Sequence, residues 1–318
     1  MNIIGPDALA FGVDDVAASR AYLTAFGLDA VDVDETGGLF EALDGTGIII
    51  RARNDPRLPA PIATATMLRQ TTYGCADQAT VDSIADELSR DRQIKRLDDG
   101  AIEAADDQGF ALKFQVTKRR ELKLAGEKIN APGDAPQRGV NKIGAWQDMP
   151  AKPRTLSHVV CFVPDLRPAE AFYVGRLGFK ITDRFNNAGP FLRPAGTQDH
   201  HTLFFIETPP YMQGCEHFAF HMGGPTEMMM AGSRFVKAGY QSFWGPGRHK
   251  FGSNWFWYFN SPLGCHVEYD ADMDLHDDEW SPREAVASPE TSQVFLFENV
   301  EKWAPMGGPP PGAKGDGH

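Results

Sequence analysis

Short runs of apolar residues recur along the chain in the same order four times. Each set predicts one strand, a helix and then three more strands, a βαβββ unit. In the first unit the apolar segment 11–16 leads into a helix that ends near Gly27, and in the third the segment 162–166 leads into a helix that ends near Gly178. In both units an Asp caps the helix and a Gly ends it. The two starts lie about 150 residues apart, which indicates an internal repeat.

The second and fourth units begin near Leu68 and Cys215, and their closing hairpins also match, at 107–113 and 262–268. The pattern therefore predicts an α+β fold of two domains. We expect each domain to contain two paired βαβββ units that form an open, barrel-like mixed sheet. No long series of parallel strands alternates with helices, which disfavours a doubly wound nucleotide-binding fold.

A segment rich in Lys, Gly, Pro and Gln, at 119–155, separates the two similar halves. We therefore predict an N-terminal domain at 1–120, a linker at 121–154, a C-terminal domain at 155–275 and a tail at 276–318. The Gly- and Pro-rich end of the tail predicts no packed element.

Composition narrows the functional classes. The chain has 318 residues and a net charge of −12, and its longest basic run has three residues, so we expect no nucleic-acid binding. No apolar stretch reaches the roughly 18 residues that suggest a membrane span, and we see no signal peptide. The four cysteines form no C-x-x-C pair, which is typical of reduced thiols in a cytoplasmic protein. We also expect a homo-oligomer.

All nine histidines lie in the second half, beginning at His158. Five of them fall in a sparse series on predicted strands: His158, His201, His217, His249 and His266. Imidazole and carboxylate groups are ligands that first-row metals prefer. The asymmetry predicts a metal site in the second half only.

The first half lacks the same side chains at matching places in the repeat. When the units are aligned, Ala8 corresponds to His158, the neighbourhood of Gln70 to His217, and Lys113 to Glu268. A cation cannot bind a metal ion, so we expect no metal site in the first domain.

One stretch of the second half resembles a known family. The segment Gly-Arg-His at 247–249, Tyr258, Pro262, Gly264 and Glu268 resembles the signature of the type I extradiol ring-cleaving dioxygenases of the vicinal oxygen chelate superfamily. Segments 156–160 and 216–220 are similar to that family's two metal-histidine strands, and 199–202 to the strand of its acid/base histidine. The resemblance covers the four-unit plan over about 270 residues.

The resemblance implies a glyoxalase-like fold and a metal site formed by His158, His217 and Glu268. Fe(II) is the expected ion, and Mn(II) is the alternative because these ligands distinguish the two poorly. The implied reaction inserts both atoms of O2 while it opens the ring of an aromatic diol. A substituted catechol, a dihydroxybiphenyl and a trihydroxylated ring all remain open as substrates.

The resemblance also implies roles for three further residues. His201 would act as the acid/base, and His249 and Tyr258 would hydrogen-bond the substrate oxygens. Adjacent strand residues face opposite sides, so His200 is expected to be solvated or to support its neighbour. We place His221 and His266 around the site rather than on the metal, and His276 and His318 on the surface.

Two other classes of function compete with this interpretation. One is another enzyme of the same superfamily, such as a glyoxalase-type isomerase or an antibiotic-modifying transferase. The combination of His249 and Tyr258 argues against it. The other is a non-catalytic drug-binding module of the bleomycin-resistance type, which would not need His158, His217 and Glu268.

Overall fold

The computed structural model describes residues 1–64 and 67–297. The Gly- and Pro-rich end of the chain and His318 lie outside the described residues. Among the described residues, no helix is both long enough and apolar enough to cross a membrane.

The first half forms one mixed sheet of eight strands. They are β1 (Ile3–Val13), β2 (Asp29–Asp34), β3 (Gly37–Glu41), β4 (Gly47–Ala52), β5 (Leu68–Cys75), β6 (Lys95–Arg96), β7 (Ile102–Ala105) and β8 (Ala111–Val116). Their order is β2-β3-β4-β1-β5-β8-β7-β6. The two units meet where β1 pairs antiparallel with β5, and each of these strands pairs parallel with the last strand of its own unit.

The second half forms a ten-stranded sheet on the same plan. Its strands are β9 (Thr155–Val163), β10 (Lys180–Phe185), β11 (Gly189–Arg193), β12 (Leu203–Glu207), β13 (Gly214–His221), β14 (Ser242–His249), β15 (Trp255–Asn260), β16 (His266–Ala271), β17 (Arg283–Ala285) and β18 (Gln293–Leu296). Their order is β17-β10-β11-β12-β9-β13-β16-β15-β14-β18. The outermost strands come from the predicted tail, 276–318, so part of that segment packs against the second domain.

One helix follows the first strand of each unit, as the repeat predicts. The four helices are α1 (Val16–Phe26), α2 (Gln78–Leu88), α3 (Leu166–Glu170) and α4 (Pro225–Lys237). α3 continues as a π-helical turn (Ala171–Arg176). Two further short elements are a 3-10 helix (Pro210–Met212) and α5 (Pro289–Ser292). The Asp15 side chain accepts from the backbone N–H of Ala18, and Asp165 accepts from that of Arg167. Gly27 ends α1 with a left-handed φ of 106°, which Gly adopts without a steric penalty. The predicted caps are confirmed.

The two sheets share one continuous apolar core. The rings of Phe26 and Tyr269 stack with centroids 3.8 Å apart, and the Tyr269 hydroxyl donates to the Phe26 carbonyl over 2.6 Å. On the other side, the Tyr173 hydroxyl of the π-helical turn donates to the Asp106 carboxylate over 3.0 Å. These buried contacts join the two domains through both apolar area and hydrogen bonds.

The strand registers of the two sheets confirm the correspondence between the halves. Directly paired residues across three strands are Ala8, Thr72 and Lys113 in the first sheet, and His158, Ala219 and Glu268 in the second. Gln70 lies two residues before Thr72 and pairs with Ala10, just as His217 lies two residues before Ala219 and pairs with Val160. Ala8, Gln70 and Lys113 therefore occupy the positions of His158, His217 and Glu268.

Candidate active site

His158, His217 and Glu268 meet on three adjacent strands, β9, β13 and β16. Their side chains are buried, and the Nε2 atoms of the two histidines lie 3.2 Å apart. The Glu268 Oε2 atom lies 3.1 Å from Nε2 of His158 and 3.4 Å from Nε2 of His217. Within residues 1–64 and 67–297 this is the only group of three His, Cys, Asp or Glu whose ligand atoms all lie within 4.8 Å of one another.

Neighbouring acceptors orient both imidazoles. The Nδ1 atom of His217 contacts the Glu216 carboxylate. The Nδ1 atom of His158 lies 2.9 Å from the Ser157 hydroxyl, which itself donates to Asp270 over 3.0 Å. Because each Nδ1 faces an acceptor, the proton of each neutral ring belongs on Nδ1. The Nε2 lone pairs are then both free, and they converge on one point beside Glu268.

The site fits a divalent metal ion. Ligand atoms at neighbouring corners of an octahedron with bonds of about 2.1 Å lie about 3 Å apart, close to the observed spacing. Glu268 is fully buried, and neither of its oxygens accepts a well-formed hydrogen bond from any described residue. A buried carboxylate without hydrogen-bond donors is costly unless a cation accompanies it.

An apolar cavity of about 410 Å³ is lined in part by His158 and His217. Its wall contains mainly aromatic and aliphatic side chains, among them Phe185, Phe191, Phe204, Phe251 and Trp244. No Lys or Arg belongs to the described lining. A cavity of this size and polarity accommodates an aromatic ring with a substituent.

His201 lies in the cavity wall directly beside His158, with ring centroids 4.3 Å apart. It is buried, and burial together with the neighbouring histidines lowers its pKa well below the ordinary value. An imidazole in this environment is neutral at pH 7, so it can accept a proton. The predicted acid/base residue thus borders both the predicted metal ligands and the cavity.

His249 and Tyr258 form a hydrogen-bonded pair on the same wall. The Nδ1–H of His249 donates to the Ser292 carbonyl over 3.0 Å, so Nε2 accepts from the Tyr258 hydroxyl 3.2 Å away. Burial first, and then the charge of Glu268, raise the pKa of Tyr258 well above its ordinary value. Tyr258 therefore keeps its proton and remains a hydrogen-bond donor. Five of the six predicted site residues line this cavity, and the sixth, Glu268, lies beside His158 and His217.

His200 takes one of its two predicted environments, whereas His276 does not take its predicted one. His200 is fully buried, with Nε2 2.8 Å from the Asp183 carboxylate and Nδ1 2.9 Å from Nδ1 of His201, so a supporting rather than a solvated position is observed. The prediction of a surface position for His276 is wrong. Its ring is 8% exposed and stacks on Trp280 with centroids 3.8 Å apart, because the predicted tail folds back over it.

Two other histidines lie around the predicted ligands, as expected. His266 Nδ1 is 3.0 Å from the second oxygen of Glu216, whose first oxygen contacts His217. His221 Nδ1 is 2.7 Å from Asp270. Burial opposes ionisation of His221, but Asp270 raises its pKa well above the ordinary value.

Sequence reasoning missed Asn254 and Asp183. Asn254 borders the cavity, is 1% exposed, and neither its amide nitrogen nor its amide oxygen has a hydrogen-bond partner among the described residues. It can therefore bond a molecule in the cavity. The unsatisfied amide of Asn254 emerges only from packing, and Asp183 reaches His200 only because distant segments pair, so neither had a local sequence signal.

Comparison with known proteins finds a family profile that matches part of the chain. Residues 155–269 match the profile of the Glyoxalase/Bleomycin resistance protein/Dioxygenase superfamily. Metapyrocatechase 2 of Cupriavidus necator is 38% identical over 122 residues, which cover 38% of this chain and 38% of that relative. The alignment therefore spans well under half of the relative's length.

Solved structures share the fold over nearly the whole chain. A Mn(II)-bound glyoxalase from Novosphingobium aromaticivorans superposes with a TM-score of 0.70 at 20% identity, covering 92% of this chain and 90% of that one. The 2,3-dioxygenase LapB from Pseudomonas sp. KL28 superposes with a TM-score of 0.69 at 17% identity, covering 90% and 98%. At these identities the likeness concerns the fold. The residues that match the superfamily profile, 155–269, include all six predicted site residues.

Proposed function

We propose that this protein is a non-haem, Fe(II)-dependent extradiol dioxygenase that opens the ring of a catechol-like substrate and inserts both atoms of O2. The observation that carries the proposal is the convergence of two imidazoles and one carboxylate beneath an apolar cavity, with a neutral histidine and a His–Tyr pair on its wall. Two histidines and one carboxylate on one face are typical of Fe(II) oxygenases. The similarity to metapyrocatechase 2 in the matched segment adds support.

His158, His217 and Glu268 are the proposed ligands. Fe(II) is the proposed ion, and Mn(II) is the alternative, as the glyoxalase neighbour was solved with Mn(II). A metal bound there would hold the two adjacent ring oxygens and O2 next to each other. Glu216 and Ser157 would keep the two imidazoles in the orientation that frees Nε2.

The chain's own groups then handle protons and exclude water. His201, neutral and beside the cavity, accepts a proton from a ring hydroxyl and later returns it to the leaving oxygen. When substrate binds, the Tyr258 hydroxyl turns its single proton from His249 Nε2 to a substrate oxygen and stabilises the negative charge that develops there. The aromatic wall excludes bulk water, which strengthens each of these interactions.

The lining favours a diol with an uncharged substituent. The Phe191 and Phe204 rings stack with centroids 4.0 Å apart, and Phe185 lies 4.9 Å from Phe251 in the same part of the wall. A carboxylate on the substrate would lose its hydration there without meeting a described Lys or Arg. We therefore propose an alkyl- or aryl-substituted catechol rather than an acidic one. A cytoplasmic homo-oligomer stays a prediction.

The test is ring cleavage by anaerobically reconstituted protein. Fe(II)-loaded enzyme should consume one O2 per catechol and give a yellow ring-opened product. With labelled O2, mass spectrometry should find both labelled atoms in that product. A product with a single labelled oxygen, or release of labelled peroxide, contradicts the proposal. Conversion of a glutathione hemithioacetal without O2 would instead favour a glyoxalase-type isomerase, the second candidate suggested by the glyoxalase neighbour.

A further inference from the structure

A chain of four side chains leads from the cavity wall to the edge of the second sheet. His201 Nδ1 lies 2.9 Å from His200 Nδ1, and His200 Nε2 lies 2.8 Å from Asp183 Oδ2. Arg283 then binds both oxygens of Asp183, with Nη2 2.5 Å and Nε 3.1 Å from Oδ2 and its backbone N–H donating to Oδ1 over 2.8 Å. Asp183 and His200 are both fully buried.

Hydrogen-bond directionality fixes where each proton sits. Asp183 has only acceptor atoms, so the proton between it and His200 belongs to His200 Nε2. A neutral His200 then has a bare Nδ1, which can only accept. The facing Nδ1 of His201 must therefore carry a proton and donate it, and Nε2 of His201 is left with a free lone pair.

The charges of the buried groups agree with this assignment. Burial raises the pKa of Asp183, but the hydrogen bonds from His200 and Arg283 outweigh it and lower the pKa, so Asp183 is a carboxylate. Burial lowers the pKa of His200, with Asp183 opposing, so His200 is neutral at pH 7. A cationic His200 would donate from Nδ1 and reverse the proton position on His201.

We infer that Arg283, Asp183 and His200 are positioning residues that lock His201 in the tautomer whose Nε2 can accept a proton. The tautomer of His201 does not depend on the proposed function. Only the role of Nε2 as acceptor of a substrate proton rests on that function. It also gives the segment after residue 275 a role, because β17 supplies Arg283.

The arrangement accounts for each bond broken and formed in the proton transfer. The O–H bond of a ring hydroxyl breaks, and an N–H bond forms at Nε2 of His201. The resulting cation keeps its Nδ1–H pointed at His200, where the hydrogen bond becomes charge-assisted and stronger. The negative charge of Asp183 lies behind His200 and favours that cation until the proton returns to the leaving oxygen.

Asp183→Asn is the sharpest variant. The backbone N–H of Arg283 is fixed and keeps an acceptor at the Oδ1 position, so the amide oxygen stays there. The amide nitrogen then turns towards His200 Nε2, and the Arg283 Nη2 atom loses its acceptor and must move away. His200 must then carry its proton on Nδ1, and His201 must carry its proton on Nε2. We expect kcat for 3-methylcatechol to fall about 10²- to 10⁴-fold, the size of an acid/base step. Iron content and the anaerobic dissociation constant for 3-methylcatechol should stay unchanged.

Asp106→Asn is the matched control. Asp106 is likewise a buried aspartate that accepts from backbone N–H groups and a side chain, but its contacts are Gln108, Phe110 and Tyr173. Its turnover per bound iron should equal that of the wild type. Arg283→Gln should cause a smaller loss than Asp183→Asn, since the backbone N–H still binds Asp183. Wild-type turnover per bound iron in Asp183→Asn would overturn the inference.

A second measurement does not depend on turnover. In Zn(II)-loaded protein labelled with ¹⁵N-histidine, two-bond ¹⁵N–¹H correlation spectra should show His201 protonated at Nδ1 and bare at Nε2. Asp183→Asn should show the reverse, and His201→Asn identifies the signals. A wild-type His201 protonated at Nε2 would refute the inference even if ring cleavage is observed. Absence of ring cleavage by wild-type enzyme, with the expected tautomer present, would refute the proposed function alone.

Discussion

The two domains share one arrangement of strands but differ in what those strands carry. Where the second sheet has His158 and Glu268, the first has Ala8 and Lys113, in matching register. Lys113 instead lies 3.8 Å from Asp99 in an ion pair near the surface. The backbone therefore provides the same positions in both sheets, and only the side chains of the second sheet could hold a metal ion there.

The space above the two sheets differs as well. The cavity beside Gln70, the counterpart of His217, measures about 10 Å³, against about 410 Å³ in the second domain. The Arg69 side chain donates to the carbonyls of Pro59 and Arg53, which holds the segment 53–59 near the sheet. Beside Gln70, the described residues of the first domain thus provide neither the predicted ligands nor room for a substrate.

Removing one predicted ligand should have the largest effect, because it makes the second sheet resemble the first. Glu268→Gln should lose both iron and turnover, by more than the 10²- to 10⁴-fold expected for a proton-transfer residue. His158→Ala and His217→Ala should behave alike. Iron analysis and circular dichroism on the same samples separate metal loss from unfolding. Full iron content in any variant removes that residue from the ligand set.

His201→Asn tests chemistry without touching the ligands. The variant should keep its iron and bind 3-methylcatechol, while turnover falls about 10²- to 10⁴-fold, because the amide cannot accept and return a proton as imidazole does. Stopped-flow measurement after mixing with O2 would follow the slowed step. A wild-type rate would assign the proton transfer to another group.

The raised pKa of Asp106, which bonds across the two domains, should make the free energy of unfolding depend on pH. Burial, opposed by hydrogen bonds from Phe110 and Tyr173, raises its pKa to about 6. Its protonated form therefore favours folding below about pH 4, and this contribution is lost as the pH rises through about 6. Relative to Asp106→Asn, the wild type should lose about 2 kcal/mol of unfolding free energy between pH 4 and pH 7. Denaturant unfolding at both pH values measures it, and a constant difference would contradict the raised pKa.

The smallest effect is expected from rebuilding the ligands in the first domain. Ala8→His, Gln70→His and Lys113→Glu together should not give catalysis in a Glu268→Gln background, because the neighbouring cavity is too small for a substrate. Iron per chain and O2 uptake would be measured together. Substrate-dependent O2 uptake by this variant would show that side chains alone separate the two domains.

Sequence periodicity predicted the four units and the helix caps of the first and third, because each depends on local pattern or on the repeat. The grouping of six site residues came from the resemblance to a known family. Neither the periodicity nor the resemblance predicted the contact between Asp183 and Arg283, which are 100 residues apart. That contact depends on β17 pairing with β10, and a three-residue strand has too little pattern to detect. The same long-range folding buries His276, which the sequence placed on the surface.

The short strands of the tail also affect whether the edges of the second sheet can pair with strands of other molecules. β17 and β18, with three and four residues, cover the six-residue β10 and the eight-residue β14 at the two edges of the second sheet. The first sheet ends in β6, which has only two residues, and in β2, whose sequence DAVDVD is acidic. Short or charged edges give another sheet little backbone to pair with. Both sheets are therefore protected against edge-to-edge aggregation.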